Sequence, residues 1–261
     1  MSGRTPIVAG NWKMNTTRES GVKLMKQLSQ SASDYTDSVQ VVVFPPSVYL
    51  DVVRSVMDAG HIAVGAQNFY PEPDGAFTGE ISVSMLKDLH LSHVLVGHSE
   101  RRHVLGEPNE LIRQKTSAAL TAELQTFLCV GETIEQREAG QTDEVNDRQL
   151  TTALEGLDSS LLGRLTVAYE PVWAIGTGKT ASPDDAQNAH AFIRSRLAEL
   201  LGDSVAQAIR ILYGGSVKAS NATELFSMPD IDGGLVGGAS LDAASFQGII
   251  ESASKTDAIA R

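Results

Sequence analysis

The stretch Leu165-Thr166-Val167-Ala168-Tyr169-Glu170-Pro171 contains the unit on which the fold of this chain is built, a short apolar strand that runs directly into a loop. The apolar and β-branched residues at 165–169 predict a strand that is buried on both faces. Pro171 has no backbone N–H and cannot continue a strand ladder, so the strand gives way to a loop at Glu170. A carboxylate at the end of a buried strand is in a position where proteins often place functional residues.

The residues after Glu170 have the composition of a lid. An apolar tip at 173–175 is followed by Gly176 and Gly178, and these glycines give the backbone freedom before a helix that should begin near residue 182. A lid that excludes water above a carboxylate indicates a reaction with an unstable intermediate, in which Glu170 acts as general base. From this stretch alone, an ordinary surface loop with an incidental glutamate remains open.

The same unit recurs along the chain and predicts the fold. Eight short apolar runs are candidate strands, at 7–9, 39–44, 62–66, 93–96, 126–130, 165–169, 209–213 and 234–236. Between several of them, apolar residues recur at the spacing of one helix face. These are Val22, Met25 and Leu28; Leu111, Lys115, Ala118 and Ala119; Leu150, Leu154 and Leu157; and Ala189, Phe192, Ile193, Arg196, Leu197 and Leu200. Alternating strands and helices predict a parallel sheet, and eight units in about 250 residues are typical of a closed (β/α)8 barrel.

An open doubly wound sheet is the alternative to a closed barrel. Against it, no GxGxxG motif follows the first candidate strand. No Gly-, Ser- or Pro-rich linker and no shift in composition divides the chain, so residues 1–261 are expected to form a single domain.

The composition argues against several classes of protein. The 21 Lys and Arg residues against 32 Asp and Glu residues give a net charge of -11, which disfavours binding to nucleic acid or to an anionic membrane. The single cysteine, Cys129, lies in an apolar run and is expected to be a small buried hydrophobe. One cysteine cannot form an internal disulfide, and no signal-peptide pattern or apolar run of about 20 residues is present. A cytoplasmic protein is therefore expected.

In a barrel of this kind the residues just after each strand gather at one mouth, and here these positions carry side chains suited to chemistry. After the first strand come Asn11 and Lys13, and a lysine there can bind an anion or polarise an oxygen. After the fourth strand comes His98, followed by Ser99-Glu100, which is typical of a helix start. The positive end of that helix dipole should keep His98 neutral, so that it can donate a hydrogen bond to a carbonyl.

Paired glycines follow the seventh and eighth strands, in Tyr213-Gly214-Gly215-Ser216 and Gly237-Gly238-Ala239-Ser240. Such pairs let backbone N–H groups point at one acceptor, which suits a phosphate group. Taken singly, these features have plainer interpretations, as a turn, a solvated lysine or a structural histidine. Together they bring a base, a neutral donor, a cation and an anion-binding loop to one mouth, which favours an active site.

Two other kinds of site are disfavoured. Gly178-Lys179-Thr180 resembles the end of a phosphate-binding P-loop, but Trp173 stands where that motif requires its first glycine. The six histidines form no HxH or HExxH pair on a barrel-mouth loop, so no metal site is expected.

Five separated motifs resemble those of the triosephosphate isomerase family, in that family's order and spacing. They are Asn11-Trp12-Lys13-Met14-Asn15, Val96-Gly97-His98-Ser99-Glu100-Arg101-Arg102, Ala168-Tyr169-Glu170-Pro171-Val172-Trp173-Ala174-Ile175-Gly176-Thr177-Gly178, Tyr213-Gly214-Gly215-Ser216-Val217 and Leu235-Val236-Gly237-Gly238-Ala239-Ser240. The resemblance runs from end to end of the chain and implies a TIM barrel.

The resemblance also implies a reaction. A member of this family would interconvert dihydroxyacetone phosphate and D-glyceraldehyde 3-phosphate through an enediolate, in glycolysis and gluconeogenesis, without a metal or an organic cofactor. Glu170 would move the proton, and His98 and Asn11 would hydrogen-bond the oxygens on which charge develops. Lys13 would add positive charge beside them, with Glu100 as its partner.

By the same resemblance, backbone N–H groups of Gly176, Ser216, Gly237 and Gly238 would bind the substrate phosphate. Closure of a lid at 171–181 would bring Gly176 to the site. Closure protects the intermediate, since an exposed enediolate phosphate can eliminate its phosphate.

The connection at 67–80 is longer than the 2 to 6 residues of an ordinary βα loop. Its second half, Gly75-Ala76-Phe77-Thr78-Gly79-Glu80, resembles the family's interface loop, which enters the partner subunit. The resemblance therefore implies a homodimer with Thr78 in the interface.

Two functions of other classes are weighed against this one. A Schiff-base aldolase would use a buried mid-strand lysine, whereas Lys13 is expected in a loop. A non-catalytic protein that has kept the fold would be recognised by a replaced catalytic residue, and none of the motif residues is replaced.

Overall fold

The computed structural model describes residues 4–32, 35, 37–56, 62–175 and 181–260. In this part of the chain eight parallel strands, β1 to β8, form a closed barrel in which each strand pairs with the next one along the sequence. β1 also pairs with β8, in a register that places Ile7 opposite Gly233, and this pairing closes the barrel. The predicted TIM barrel is confirmed, and the open sheet is excluded.

The strands lie where the apolar runs predict them, with ends that differ by at most two residues. They are β1 Ile7–Asn11, β2 Gln40–Phe44, β3 Ala63–Ala66, β4 His93–Val96, β5 Gln125–Val130, β6 Leu165–Tyr169, β7 Arg210–Tyr213 and β8 Gly233–Val236. β1 differs most, because Gly10 and Asn11 still pair with Val43 and Phe44 of β2. Asn11 therefore lies at the end of a strand, and not in the loop that follows it.

Eleven α-helices in the described part of the chain surround the barrel. They are α1 Arg18–Ala32, α2 Leu50–Ser55, α3 Val83–Asp88, α4 Ser99–His103, α5 Asn109–Thr121, α6 Ile134–Glu138, α7 Thr142–Leu154, α8 Pro183–Leu201, α9 Asp203–Ala208, α10 Ala219–Phe226 and α11 Ala243–Ala260. Within the described ranges, every helix is too short or too polar to span a bilayer.

The predicted helix patterns fall on α1, α5, α7 and α8, with one exception. Leu157 was expected on the face of α7, but that helix ends at Leu154. Gly156 then adopts a positive φ of 73°, which turns the chain out of the helix. Leu157 lies beyond this turn, where it is partly buried and packs against the core.

Helix α8 begins at the predicted place. The Ser182 side chain accepts a hydrogen bond from the N–H of Asp185, and the Asp185 carboxylate accepts one in return from the N–H of Ser182. Pro183 occupies the first helical position, where its missing N–H costs nothing. The chain is therefore fixed in direction as it enters α8.

The spacing in α8 identified the wrong arginine as part of its apolar face. Arg196 is partly exposed, and its guanidinium pairs with Asp147 of α7. The buried arginine is Arg194, which donates to Asp232 at 2.7 Å and to the carbonyl oxygen of Ile209 at 2.6 Å. These oxygens come from the segments before β8 and β7, so the helix pattern alone could not show that a charge can be buried there.

Apolar side chains pack on both faces of the strands, as continuous apolar runs predict. The layer inside the barrel contains Ile7, Ala9, Val42, Phe44, Leu95, Phe127, Cys129, Ala168, Leu212 and Leu235. The layer between strands and helices contains, among others, Val8, Val43, Val96, Leu128, Val167 and Ile211. Cys129 is fully buried in the inner layer, which confirms the prediction of a small buried hydrophobe.

Candidate active site

A cavity of about 350 Å³ opens at the carboxyl ends of the strands. Its lining contains the predicted site residues Asn11, Lys13, His98, Glu170, Ser216, Gly237 and Gly238, together with Ile175 from the beginning of the predicted lid. The structure thus brings together residues from β1, β4, β6, β7 and β8 that are as much as 227 positions apart, Gly238 minus Asn11. Gly176 lies outside the described residues.

Glu170 is buried at the bottom of this cavity. It follows β6 directly, and its side chain is 3% exposed. One carboxylate oxygen lies 2.9 Å from Nε2 of His98, and the other accepts a hydrogen bond from the N–H of Ser99 at 2.7 Å. Burial opposes ionisation, but these contacts and the nearby charge of Lys13 lower the pKa of Glu170 below its usual value. Glu170 is therefore ionised and can accept a proton.

Two glycines on neighbouring strand ends make room for Glu170. A Cβ on Gly131, after β5, would lie 1.8 Å from the carbonyl oxygen of Glu170, and one on Gly214, after β7, would lie 2.8 Å from its Cγ. Gly131 was not identified from the sequence, because its requirement comes from a neighbouring strand and not from its own turn.

His98 caps the N-terminus of α4 with its imidazole ring. Nδ1 accepts a hydrogen bond from the N–H of Glu100 at 3.2 Å, so the proton of the neutral ring is assigned to Nε2, which faces Glu170. Burial disfavours the charged ring, but the carboxylate of Glu170 outweighs it and raises the pKa of His98. When Glu170 moves away from Nε2, burial and the N–H of Glu100 both favour the neutral ring that the sequence predicts.

Lys13 stands at the rim of the cavity in a left-handed backbone conformation, with φ of 51°. Its N–H donates to Oδ1 of Asn11 at 2.9 Å, and its carbonyl oxygen accepts from Nε2 of Gln67 at 2.9 Å. Its Nζ lies 2.6 Å from a carboxylate oxygen of Glu100. The pairing of Lys13 with Glu100 is the one that the resemblance implies. Gln67, which holds the strained turn, was not identified from the sequence.

The glycine pairs also border the cavity. Gly237 follows β8, and a Cβ there would lie 3.3 Å from Cε of Lys13, so the lysine stem passes directly over this backbone. Gly238 begins a single 3-10 turn at Gly238–Leu241, in which the Ser240 hydroxyl donates to the carbonyl oxygen of Gly237 at 2.7 Å. Ser216 lines the cavity from the end of β7. A cation and two glycine-rich turns therefore surround one space suited to an anion.

Behind the beginning of the predicted lid lies a second buried glutamate. Glu132, two residues after β5, accepts hydrogen bonds from the Tyr169 hydroxyl at 3.1 Å and from Nε1 of Trp173 at 2.9 Å. The guanidinium carbon of Arg137 lies 4.4 Å from the centre of the Trp173 ring. Residues 176–180 of the predicted lid lie outside the described residues. Neither Glu132 nor Arg137 was identified from the sequence.

No group of three or more His, Cys, Asp or Glu side chains that could hold a metal ion is found among the described residues.

Comparison with known proteins gives one consistent family. A family model described as triosephosphate isomerase matches residues 6–253. A triosephosphate isomerase of Rhodopirellula baltica is 50% identical over 250 residues, which cover 96% of this chain and 98% of that protein. One of Roseiflexus sp. is 51% identical over 247 residues, covering 95% and 97% of the two chains. One of Syntrophotalea carbinolica is 48% identical over 248 residues, covering 95% and 98%.

Proposed function

The chain belongs to the triosephosphate isomerase family, and on this premise we propose that it interconverts dihydroxyacetone phosphate and D-glyceraldehyde 3-phosphate through an enediolate. The observation that carries the proposal is the 2.9 Å contact between a carboxylate oxygen of Glu170 and Nε2 of His98, at the bottom of a cavity rimmed by Lys13. A base and a hydrogen-bond donor converge there on one point, which suits abstraction of a proton next to a carbonyl.

In the proposed reaction Glu170 takes a proton from the carbon next to the carbonyl of dihydroxyacetone phosphate. The negative charge moves to the carbonyl oxygen, where the N–H of His98 Nε2 and the amide of Asn11 stabilise it. A proton then passes from the hydroxyl oxygen of the first carbon to the former carbonyl oxygen, and Glu170 returns its proton to the former carbonyl carbon. The first carbon thereby becomes the aldehyde of glyceraldehyde 3-phosphate, and no atom is gained or lost. Before substrate binds, the contacts with His98 and Ser99 lower the pKa of Glu170, so the base enters the reaction in its ionised form.

Substrate binding requires Glu170 to exchange its contacts. One carboxylate oxygen accepts a hydrogen bond from the backbone N–H of Ser99, and the other contacts Nε2 of His98. A change in the side-chain rotamer of Glu170 releases both contacts. A substrate oxygen at Nε2 of His98 would take the place of the carboxylate there. The base is then free to approach the carbon.

The phosphate group of the substrate is proposed to lie between Lys13 and the backbone N–H groups of Ser216, Gly237 and Gly238. Closure of the lid at 171–181 adds the N–H of Gly176, and Glu100 holds Nζ of Lys13 in place through the 2.6 Å contact. This arrangement combines one full positive charge with backbone dipoles, which is a common way to bind phosphate.

We further propose that the protein is a homodimer with Thr78 in its interface. The exposed large apolar side chains among the described residues all lie in the connections that follow β1, β2, β3 or β4, and thus on one half of the barrel. They are Met14, Val48, Phe77, Met85, Val104 and Leu105. Met14 is 96% exposed and adjoins Lys13, so a partner that covers it also orders the rim of the cavity. Neighbouring exposed apolar groups of this kind are typical of an obligate interface.

The place of the reaction is proposed from the family as well. The chain acts as one domain over 1–261, in the cytoplasm, in glycolysis and gluconeogenesis. The single cysteine suits a reducing compartment.

The test is turnover of glyceraldehyde 3-phosphate by purified protein treated with a chelator, beside the variants Glu170→Gln and Glu110→Gln. Glu110 is an exposed glutamate of α5, so its variant makes the same change of charge away from the cavity. Fast turnover by the parent and by Glu110→Gln, with loss of about 1,000-fold or more in Glu170→Gln, supports the proposal. No turnover by the folded parent protein would contradict it.

A further inference from the structure

Arg102 lies behind His98, in α4, and bonds only oxygens that carry no formal charge. Its Nε donates to the carbonyl oxygen of Gly97 at 2.7 Å, one Nη to Oδ1 of Asn109 at 2.7 Å, and the other Nη to the carbonyl oxygen of Cys129 at 2.8 Å. Its neighbour Arg101, by contrast, pairs with the carboxylate of Glu107 at 2.6 Å. The charge of Arg102 is thus placed next to backbone, and its three hydrogen bonds follow the fork shape of the guanidinium.

These contacts join two strands beyond the end of their ladder. The register of β4 and β5 ends with Val96 opposite Leu128. Arg102 bonds the carbonyl oxygen of the next residue on each strand, Gly97 and Cys129. It therefore continues the connection between the strands at the point where the chain turns toward His98.

The carbonyl oxygen of Gly97, which Arg102 bonds, belongs to the peptide that joins Gly97 to His98. Gly97 has φ of 70°, and a Cβ there would lie 2.9 Å from the guanidinium of Arg102. The glycine is required both by its left-handed backbone and by the arginine packed against it. The direction of this peptide determines where the imidazole of His98 and the N–H of Ser99 point, and both groups bond Glu170.

Arg102 keeps its charge in this buried position. Burial lowers the pKa of Arg102 to about 10, although the nearby carboxylate of Glu170 acts in the opposite direction. Arg102 is still protonated at neutral pH.

We propose that Arg102 is a positioning residue for the reaction proposed above, in which it holds the Gly97–His98 peptide, and through it His98, by hydrogen bonds. This inference rests on the proposed function. Arg102 does not line the cavity, so it acts through His98 and Glu170.

Two substitutions separate the hydrogen bonds from the charge. Arg102→Lys keeps a positive charge but cannot reach three oxygens in the fork geometry, whereas Arg102→Gln removes the charge as well. Arg113→Gln is the matched control, because Arg113 is an exposed arginine of α5 that pairs with Glu110. For each protein, kcat and KM would be measured together with the pH dependence of kcat/KM.

We expect Arg102→Lys to lower kcat about 10-fold or more, because a small displacement of His98 is costly in rate. The midpoint of the acid limb in its pH profile of kcat/KM should match that of the parent. Arg102→Gln should lower kcat further, because its shorter side chain leaves the carbonyl oxygens of Gly97 and Cys129 without their donors. KM should change less than about threefold in both, because no group that binds phosphate is removed. Arg113→Gln should behave like the parent.

The inference is overturned if kcat of Arg102→Lys stays within about twofold of the parent. Should Arg102→Gln fail to fold, Arg102→Lys decides the question through the imidazole ¹⁵N signals of His98. Altered signals support the positioning role of Arg102, and unchanged signals contradict it. This readout needs no turnover, so it still decides whether Arg102 positions His98 if an inactive parent refutes the proposed function.

Discussion

Two glutamates follow neighbouring strands and are both buried, yet only one of them faces the cavity. Glu132 follows β5, is fully buried, and accepts hydrogen bonds from the Tyr169 hydroxyl and the Trp173 indole. Glu170 follows β6, is 2% exposed, and lines the cavity, where it contacts His98. The two side chains have the same chemistry and almost the same burial, so neither property separates a base from a structural carboxylate.

The partners of the two carboxylates make the difference. Tyr169 and Trp173 belong to the end of β6 and the single helical turn that follows it, so Glu132 holds the beginning of the predicted lid against the barrel. No substrate group can replace these partners, because Glu132 does not line the cavity. The partners of Glu170 are groups at the cavity floor, which a substrate oxygen can replace. A buried carboxylate is thus available for proton transfer only where its contacts can be exchanged.

Among the changes that test this comparison, the largest effect is expected from shortening the proposed base. Glu170→Asp withdraws the carboxylate by about 1 Å, which should lower kcat about 100-fold or more and leave the fold intact. Steady-state kinetics and a thermal melt of the same preparation measure both. Unchanged turnover would remove Glu170 from its proposed role and with it the contrast to Glu132.

A smaller effect on rate and a larger one on stability are expected at the second glutamate. Glu132→Gln leaves the buried donors of Tyr169 and Trp173 with a poorer acceptor, which should lower the free energy of unfolding by about 1–3 kcal/mol. Its kcat should fall less than about 10-fold, since no group in the cavity changes. Urea unfolding followed by circular dichroism, together with kinetics, gives the two values.

Trp173→Phe is the matched control for Glu132→Gln, because it removes the indole N–H and leaves the carboxylate bonded to Tyr169. It should destabilise the protein less than Glu132→Gln does. A loss of kcat in Glu132→Gln as large as that in Glu170→Asp would break the comparison.

The buried histidine behind Glu132 gives a pH dependence of stability. The ring of His190 lies 5.7 Å from that of Tyr169, and burial lowers the pKa of His190 to about 4; burial lowers that of His93, at the start of β4, to about 4 as well. In the unfolded chain both rings bind a proton near pH 6.5. The contribution of these two neutral rings to the free energy of unfolding should therefore be fully present above pH 6.5 and be lost as the pH falls toward 4. The loss should be about 1–2 kcal/mol per histidine between pH 7 and pH 5.

Urea unfolding at a series of pH values measures this slope. His190→Gln and His93→Gln should each flatten it, and a slope that stays the same in both variants would contradict the assignment. The cavity-facing His98 is the contrast, because its neighbouring carboxylate raises its pKa where burial alone would lower it.

The smallest expected effect is a shift in the pKa of His98. In Glu170→Gln the carboxylate beside His98 is gone, so burial prevails and the pKa of His98 should fall below that of the parent. Glu132→Gln should leave it unchanged. Imidazole NMR over pH 5 to 8 distinguishes the two variants, and equal pKa values in the parent and Glu170→Gln would show that the 2.9 Å contact does not persist in solution.

Much of the site could be predicted from local sequence because its residues occupy strand ends. Lys13, His98, Glu170 and the pair Gly237–Gly238 follow short apolar runs, and in a parallel barrel all such ends meet at one mouth. Residues whose role depends on distant partners gave no local signal. Gln67 holds Lys13 from 54 positions away, and the carboxylate of Glu132 is bonded by an indole 41 positions away.

The amino-acid sequence by itself determined the alternation of strands and helices, the closed barrel and the polar residues at its mouth. Those features follow from hydrophobic period and from proline and glycine, which act on their own segment of chain. Only the tertiary structure decided which of two arginines in α8 is buried, and that a second glutamate, Glu132, is buried away from the cavity. A charged side chain is buried where oxygens or donors from other segments bond it, and packing alone brings those groups together.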